Sequence, residues 1–201
     1  MNDHISKINA ARSNYKPAKI SCLFIAESPP SEEDRFFYFE EVNDQDSLYL
    51  EMMKALFHQK KRAQGGSDEI ISLLDHFGPS ALTLRSEKTS YLEKFREKGF
   101  YLIDCIDHPM PSHVFRTKDK IKYLEQSQNV LADKVSGLVD KKTPIVLISV
   151  PVFQAMAGTL KYKGFNVINI ESIPFPGSGQ QTDFQSKMKT LLNEKLSDLF
   201  N

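Results

Sequence analysis

The stretch Ile20–Tyr38, ISCLFIAESPPSEEDRFFY, decides how the rest of the chain is read. Ser21 to Ala26 is a short run of small and apolar residues that suits a strand buried on both faces, and it stops abruptly at Glu27-Ser28-Pro29-Pro30. The strand therefore delivers an acid to its carboxyl end. In open α/β sheets that end is where ligands bind, in the crevice between the loops leaving the strands, so Glu27 is a candidate for chemistry. Pro29 and Pro30 fix φ and bias their predecessors toward extended geometry, which predicts a stiff loop that does not wind directly into a helix. Phe36-Phe37-Tyr38 follows. The same stretch also reads as a strand with a polar exit and a few core aromatics.

Working outward, three further segments repeat the first one's logic. Phe100 to Ile106 is a second apolar run ending in polar residues, with Asp104, Asp107 and His108 ahead of Pro109-Met110-Pro111. Ile145 to Val150 is the most apolar run and the third predicted strand, with Pro151 opening the helix after it. Phe165 to Ile170 is the predicted fourth strand, and it leads into Glu171-Ser172-Ile173-Pro174-Phe175-Pro176-Gly177-Ser178-Gly179. Helical spacing fills the intervals. Before the first strand, 1–19 predicts a short helix and an extended lead-in. Ser47 caps a run of Tyr49, Met52, Met53, Leu56 and Phe57, which ends near Gly65-Gly66. A short helix over Ile70 to Leu74 stops at Gly78-Pro79, and another runs from about Ser90 to Gly99. Thr117 opens a long helix with Ile121, Leu124, Leu131, Val135 and Leu138 inward, and Thr182 caps a terminal one lined by Phe184, Met188, Leu192 and Leu199. Strands alternating with helical segments indicate an α/β domain whose parallel sheet is covered on both faces.

With 201 residues and 40% hydrophobic content, the chain can bury one sizeable core and is short for two, so a single domain over 1–201 is expected. Lys and Arg number 26 and Asp and Glu number 26, so net charge carries no footprint of nucleic acid, membrane or an acidic partner. A local basic groove is compatible with that balance. Lys54, Lys60, Lys61 and Arg62, or Lys118, Lys120 and Lys122, are clusters able to line one, and solvated helix faces account for them equally well. Cys22 and Cys105 lie inside strand-like runs and read as small buried hydrophobes of a reducing compartment. No apolar run approaches the roughly 20 residues of a transmembrane helix, so a cytoplasmic protein without a membrane partner is expected.

Four strand ends in this order carry a resemblance that covers Lys19 to Leu192. Ala26-Glu27-Ser28-Pro29-Pro30 after the first strand, the aromatics Phe36-Phe37, Asp104 in Leu102-Ile103-Asp104 at the second strand end, and Ile173-Pro174-Phe175-Pro176-Gly177-Ser178 after the fourth are similar to the motifs of the uracil-DNA glycosylase superfamily. The resemblance implies a three-layer α/β/α sandwich around a four-stranded parallel sheet. It also implies DNA as partner, a single monomeric domain, and neither metal nor cofactor. By motif position, Glu27 would be the catalytic acid, and Ser28, Pro29, Phe36, Phe37 and Asp104 would hold the base. Pro174, Pro176, Gly177, Ser178 and Gln180 would meet DNA.

Chemistry explains those residue types. A base inside a duplex is out of reach, so such enzymes flip it out, stack it on an aromatic face and read its edge by hydrogen bonds. Hydrolysis of the N-glycosidic bond then needs a carboxylate to position water and to stabilise positive charge on the sugar, the role expected of Glu27. Two positions depart from the family pattern. Ile173 stands where the family has a His or Asn and offers no side-chain donor to a departing base. Asp104 stands where the family has an Asn; an ionised acid only accepts hydrogen bonds, so the site would favour a base carrying an exocyclic amine, unless burial keeps the acid protonated. Capping of the following loop is the other reading of Asp104.

Other groups carry less. Cys105, His108 and His113 beside Asp104 and Asp107 fit no zinc spacing, and His58 and His76 read as surface residues of helices. The segment 177–182 leads into a helix amino terminus, which suits either a phosphate or a plain connection. Besides base excision, two further classes fit the sequence: a non-catalytic nucleic-acid or nucleotide-binding module of the same fold, and a flavodoxin-like nucleotide-binding protein. The second is disfavoured by prolines where a phosphate cradle needs glycines.

Overall fold

Cys22–Ala26 forms β1, and each of its five residues is buried, as an apolar run with no polar alternation requires. The computed structural model describes residues 2–32, 34–41, 46–57, 79–177 and 179–197. The predicted helix Ile70–Leu74, the cluster Lys60, Lys61 and Arg62, His58, His76, Ser178 and Leu199 lie outside the described residues. β2 (Phe100–Asp104) and β3 (Ile145–Leu147) flank β1 in parallel, in the order β2-β1-β3. The register places Ala26 opposite Asp104 and Ile25 opposite Leu147. The carboxyl ends of the strands are therefore level, and the ladder continues past them through Cys105 N–H to Ala26 O at 2.8 Å.

Among the described residues the sheet has three strands, and the expected fourth, Phe165 to Ile170, meets it only in part. The segment 165–173 runs along the outer edge of β3 and touches it through isolated parallel bridges, Ile145 to Val167 and Ile148 to Ile173. Between the bridges a side chain replaces the backbone ladder. Asn169 Oδ1 accepts from Leu147 N–H at 3.0 Å, and its Nδ2 donates to the carbonyls of Leu147 at 3.2 Å and Glu171 at 2.9 Å. An amide side chain offers the same donor and acceptor pair as a peptide, so it satisfies the strand edge in place of the main chain. Ile170, next to Asn169, is 87% exposed.

The helix α1 (Asn2–Asn14) matches the expected segment, whereas α2 (Ser47–Leu56) ends at the C-cap Phe57 instead of near Gly65-Gly66, and Asp46 rather than Ser47 occupies its N-cap position without a side-chain cap bond. α3 (Ala81–Ser86) follows Ser80, whose hydroxyl accepts from Thr83 N–H at 3.0 Å. α4 (Lys88–Glu97) ends at Gly99, where φ is +73° and a Cβ would collide with Ser21 Oγ, so the turn into β2 requires glycine. The long helix expected from Thr117 is two helices, α5 (Thr117–Glu125) and α6 (Gln128–Ser136). The break at Gln126-Ser127 is held by Ser127 N–H donating to Leu124 O at 2.8 Å, while Gln128 reaches Ala155 O at 2.6 Å. Bending there lets both helices pack on α7 (Val150–Tyr162). α8 (Gln181–Lys195) packs on α2 through Phe184, Met188 and Leu192. Among the described residues, no helix is long and apolar enough to cross a membrane.

Candidate functional site

A cleft of about 390 Å³ opens at the carboxyl ends of β1 and β2, lined by Ala26 to Glu32, the aromatics 36–37, Asp104, Met110 and Lys120 among others. The cleft thus lies at the carboxyl end of the sheet, where open α/β sheets bind ligands, among the loops that leave β1 and β2. Glu27, Ser28, Pro29, Phe36, Phe37 and Asp104, far apart in sequence, all line it.

Glu27 leaves β1 with its side chain 15% exposed, and its Oε2 accepts from Lys120 Nζ at 2.8 Å. Lys120 sits one turn into α5, so this ion pair spans the cleft between a strand end and a helix. The Pro29-Pro30 loop is fixed from behind by α1, where His4 Nε2 lies 3.0 Å from Pro30 O.

The aromatic trio divides by role. Tyr38 hydroxyl donates to Leu102 O at 3.2 Å and accepts from Leu102 N–H at 2.7 Å, which closes the outer edge of β2. Phe37 is wedged among the rings of Tyr38, Tyr49 and Phe95. Phe36 meets Tyr38 and Phe39, and the Arg12 guanidinium lies 5.4 Å from its ring centre. Both phenylalanines are buried walls of the cleft.

Asp104 forms the floor and is 3% exposed. Its Oδ2 accepts a charged hydrogen bond from Arg12 Nη2, so the carboxylate is bound to α1. Arg12 also stands 3.7 Å from Asp107 Oδ1, and Lys134 donates to Asp107 and to the Asp104 carbonyl. Burial pushes the Asp104 carboxyl up to about 6, against the opposing pull of Arg12 and Lys134. Arg12 is the site residue that sequence reading missed. One arginine in a polar amino-terminal helix carries no signal of a buried partner 92 residues away. Asp46 was missed as well; it lines the cleft beside Arg85, whose Nη2 is 3.6 Å away, and burial raises its carboxyl above the ordinary range.

The segment after 165–173 splits. Ile173, Pro174 and Pro176 are buried, Ile173 against β3, whereas Phe175 between the prolines is 40% exposed and lines the cleft. Gln180 is exposed and precedes α8, Gly177 is half-buried, and neither lines the cleft. Ser149 anchors this segment. It has φ +88°, uncommon for a residue with a Cβ, donates from its backbone N–H to Ile173 O at 2.8 Å, and caps α7 by accepting from Val152 N–H at 3.2 Å. Such a conformation costs on the order of 1–3 kcal/mol, and these bonds hold it at the end of β3.

Four acids (Glu27, Glu32, Asp46, Asp104) and two cations (Arg35, Lys120) line the cleft. Each acid has a cationic partner, Lys120 for Glu27, Arg35 for Glu32, Arg85 for Asp46 and Arg12 for Asp104, so the interior is charge-balanced and suits a neutral, flat, partly apolar group with hydrogen-bond donors. Among the described residues no group of three or more His, Cys, Asp or Glu is placed to hold a metal ion. Both cysteines are free and buried, and burial pushes the Cys105 thiol up to about 12. Comparison with protein-family models, curated proteins and solved structures found no match.

Proposed function

We propose that this chain is a divergent relative of the uracil-DNA glycosylases which hydrolyses the N-glycosidic bond of a flipped, damaged or uracil-like base in DNA. The observation that carries the proposal is the convergence of Glu27, Phe36 and Asp104 in one cleft at the carboxyl ends of two neighbouring parallel strands. In this reading the base enters between the aromatic wall and the loop 28–30. Asp104, with Oδ2 held by Arg12, takes a donor on the base edge through its remaining acceptor capacity. Glu27 positions water at C1′ and stabilises the oxocarbenium-like sugar. Segment 165–173, in the fourth place beside β3, would complete the four-stranded sheet of a three-layer sandwich. A monomeric, cytoplasmic protein belongs to the same proposal.

A second reading has its own observation. Lys120 already occupies Glu27 Oε2, and Ile173 is buried against β3 where a donor to the leaving base would be needed. A cleft so arranged binds a nucleobase without cutting. Incubating the purified protein with oligonucleotides carrying a single uracil, hypoxanthine, xanthine or an amine-bearing damaged base separates the two. Alkali-labile abasic sites support hydrolysis, and binding without abasic sites supports the binding module.

A further inference from the structure

The loop and first helical turn that follow β2 form a ledge beside the cleft. Met110 and Lys120 both line the cleft, so the chain between them borders its mouth. The ledge is pinned: Val114 is buried, and its N–H donates to Pro111 O at 2.8 Å. Next to that anchor the ring of Phe115 is 72% exposed. Arg116 and Lys118 beside it are exposed too. From His108 to Tyr123 the chain carries four cations, Arg116, Lys118, Lys120 and Lys122; Arg116 donates through Nε to Asp119 at 2.7 Å, which leaves the rest of its guanidinium to a ligand, and Lys120 faces Glu27. That concentration is local, since the chain as a whole has zero formal net charge.

We infer that Phe115, Arg116 and Lys118 form a binding ledge for single-stranded nucleic acid, on which a base next to the one in the cleft stacks while its phosphates meet the cations. The inference rests on the reading of the cleft as a nucleobase site. Charge sets the division of labour: the two cations that line the cleft are already paired with Glu27 and Glu32, so the phosphates of a strand whose base lies inside run over the rim, where Arg116 and Lys118 are exposed. An exposed aromatic ring among cations is a platform for an unpaired base, because every base offers a π face. A duplex keeps its neighbouring bases stacked on each other and leaves none free for Phe115. The ledge therefore favours a single strand or a locally opened one.

The test is fluorescence anisotropy of the full chain with an end-labelled single-stranded oligonucleotide and with its duplex, across a salt series. The expected parent binds the single strand more tightly than the duplex. Phe115→Ala weakens single-strand binding about tenfold, Phe115→Trp retains it, and Arg116→Ala with Lys118→Ala lowers the slope of log affinity against log salt by about 1.4. Exposure of the three side chains leaves the fold intact in these variants, checked by thermal melting. The ledge is overturned if Phe115→Ala and the double variant bind with the parent's affinity and salt slope, or if the parent prefers the duplex. Abasic-site formation is scored in parallel. Excision that persists with no effect of the ledge variants on binding removes the ledge and keeps the reading of the cleft; ledge-dependent binding without excision keeps the ledge and removes hydrolysis.

Discussion

Glu27 reaches the cleft from a strand whose residues are all buried, and its charge is matched by Lys120 across the gap. Glu27→Gln keeps the shape and an acceptor for Lys120 but removes the charge. Folding and oligonucleotide binding should survive, while excision falls roughly 100- to 10,000-fold, the usual worth of a positioned acid or base. A glutamine variant that cuts at the parental rate ends the assignment. The two phenylalanines should respond differently. Phe37→Ala leaves a void among Tyr38, Tyr49 and Phe95 and should cost about 3–5 kcal/mol in denaturant unfolding. Phe36→Ala should instead weaken binding about tenfold, read by titration with a base-analogue oligonucleotide. If both variants stay folded and bind normally, the pair is merely core.

Asp104 carries the pH dependence. Its carboxyl is raised by burial from 3.8 to about 6, so the native state holds the proton more tightly than the unfolded chain. Between those values the native state binds more protons, and stability contributed by this group falls as pH rises, then levels off above about 6. The stability of the parent relative to Asp104→Asn should therefore decline from pH 4 to pH 6 by on the order of 2–3 kcal/mol. Specificity should follow the same titration. Above about pH 6 the ionised acid favours a base with an exocyclic amine by roughly tenfold to a hundredfold, and the asparagine variant moves the preference toward uracil. Identical base ranking by parent and variant would remove Asp104 from recognition.

At the scale of elements, α1 is tied to the sheet by a buried charge pair. Arg12→Met alone strands Asp104 without its guanidinium and should cost roughly 3–5 kcal/mol, whereas Arg12→Met with Asp104→Leu should recover most of that loss in the same urea melts. Equal destabilisation in the single and double variants would show that the pair contributes nothing specific. β1, β2 and β3 were legible because a short, continuous apolar run that ends in polar residues fits a strand buried on both faces and is too brief for a buried helix. The fourth segment was not, since Asn169 satisfies Leu147 with a side chain, and no hydrophobic pattern distinguishes that from a strand. Nor was the break between α5 and α6, because Ser127 interrupts the helix without disturbing the inward spacing of Leu124, Leu131 and Val135.

For the whole molecule, the candidate site follows from topology. Parallel strands with level carboxyl ends place Glu27 and Asp104 in one crevice, which made those residues readable from strand endings alone. Arg12, Asp46 and Phe175 were not readable, because their approach to the cleft depends on how α1, α2 and the segment after Asn169 pack. Removal of a base from DNA, the activity proposed for this crevice, is tested by incubating parent and Glu27→Gln protein with end-labelled oligonucleotides carrying one modified base and counting alkali-labile breaks. Breaks are expected at the modified position with the parent, most for an amine-bearing base above pH 6, and almost none with the variant. No breaks with any base, or equal breaks with parent and variant, would contradict it.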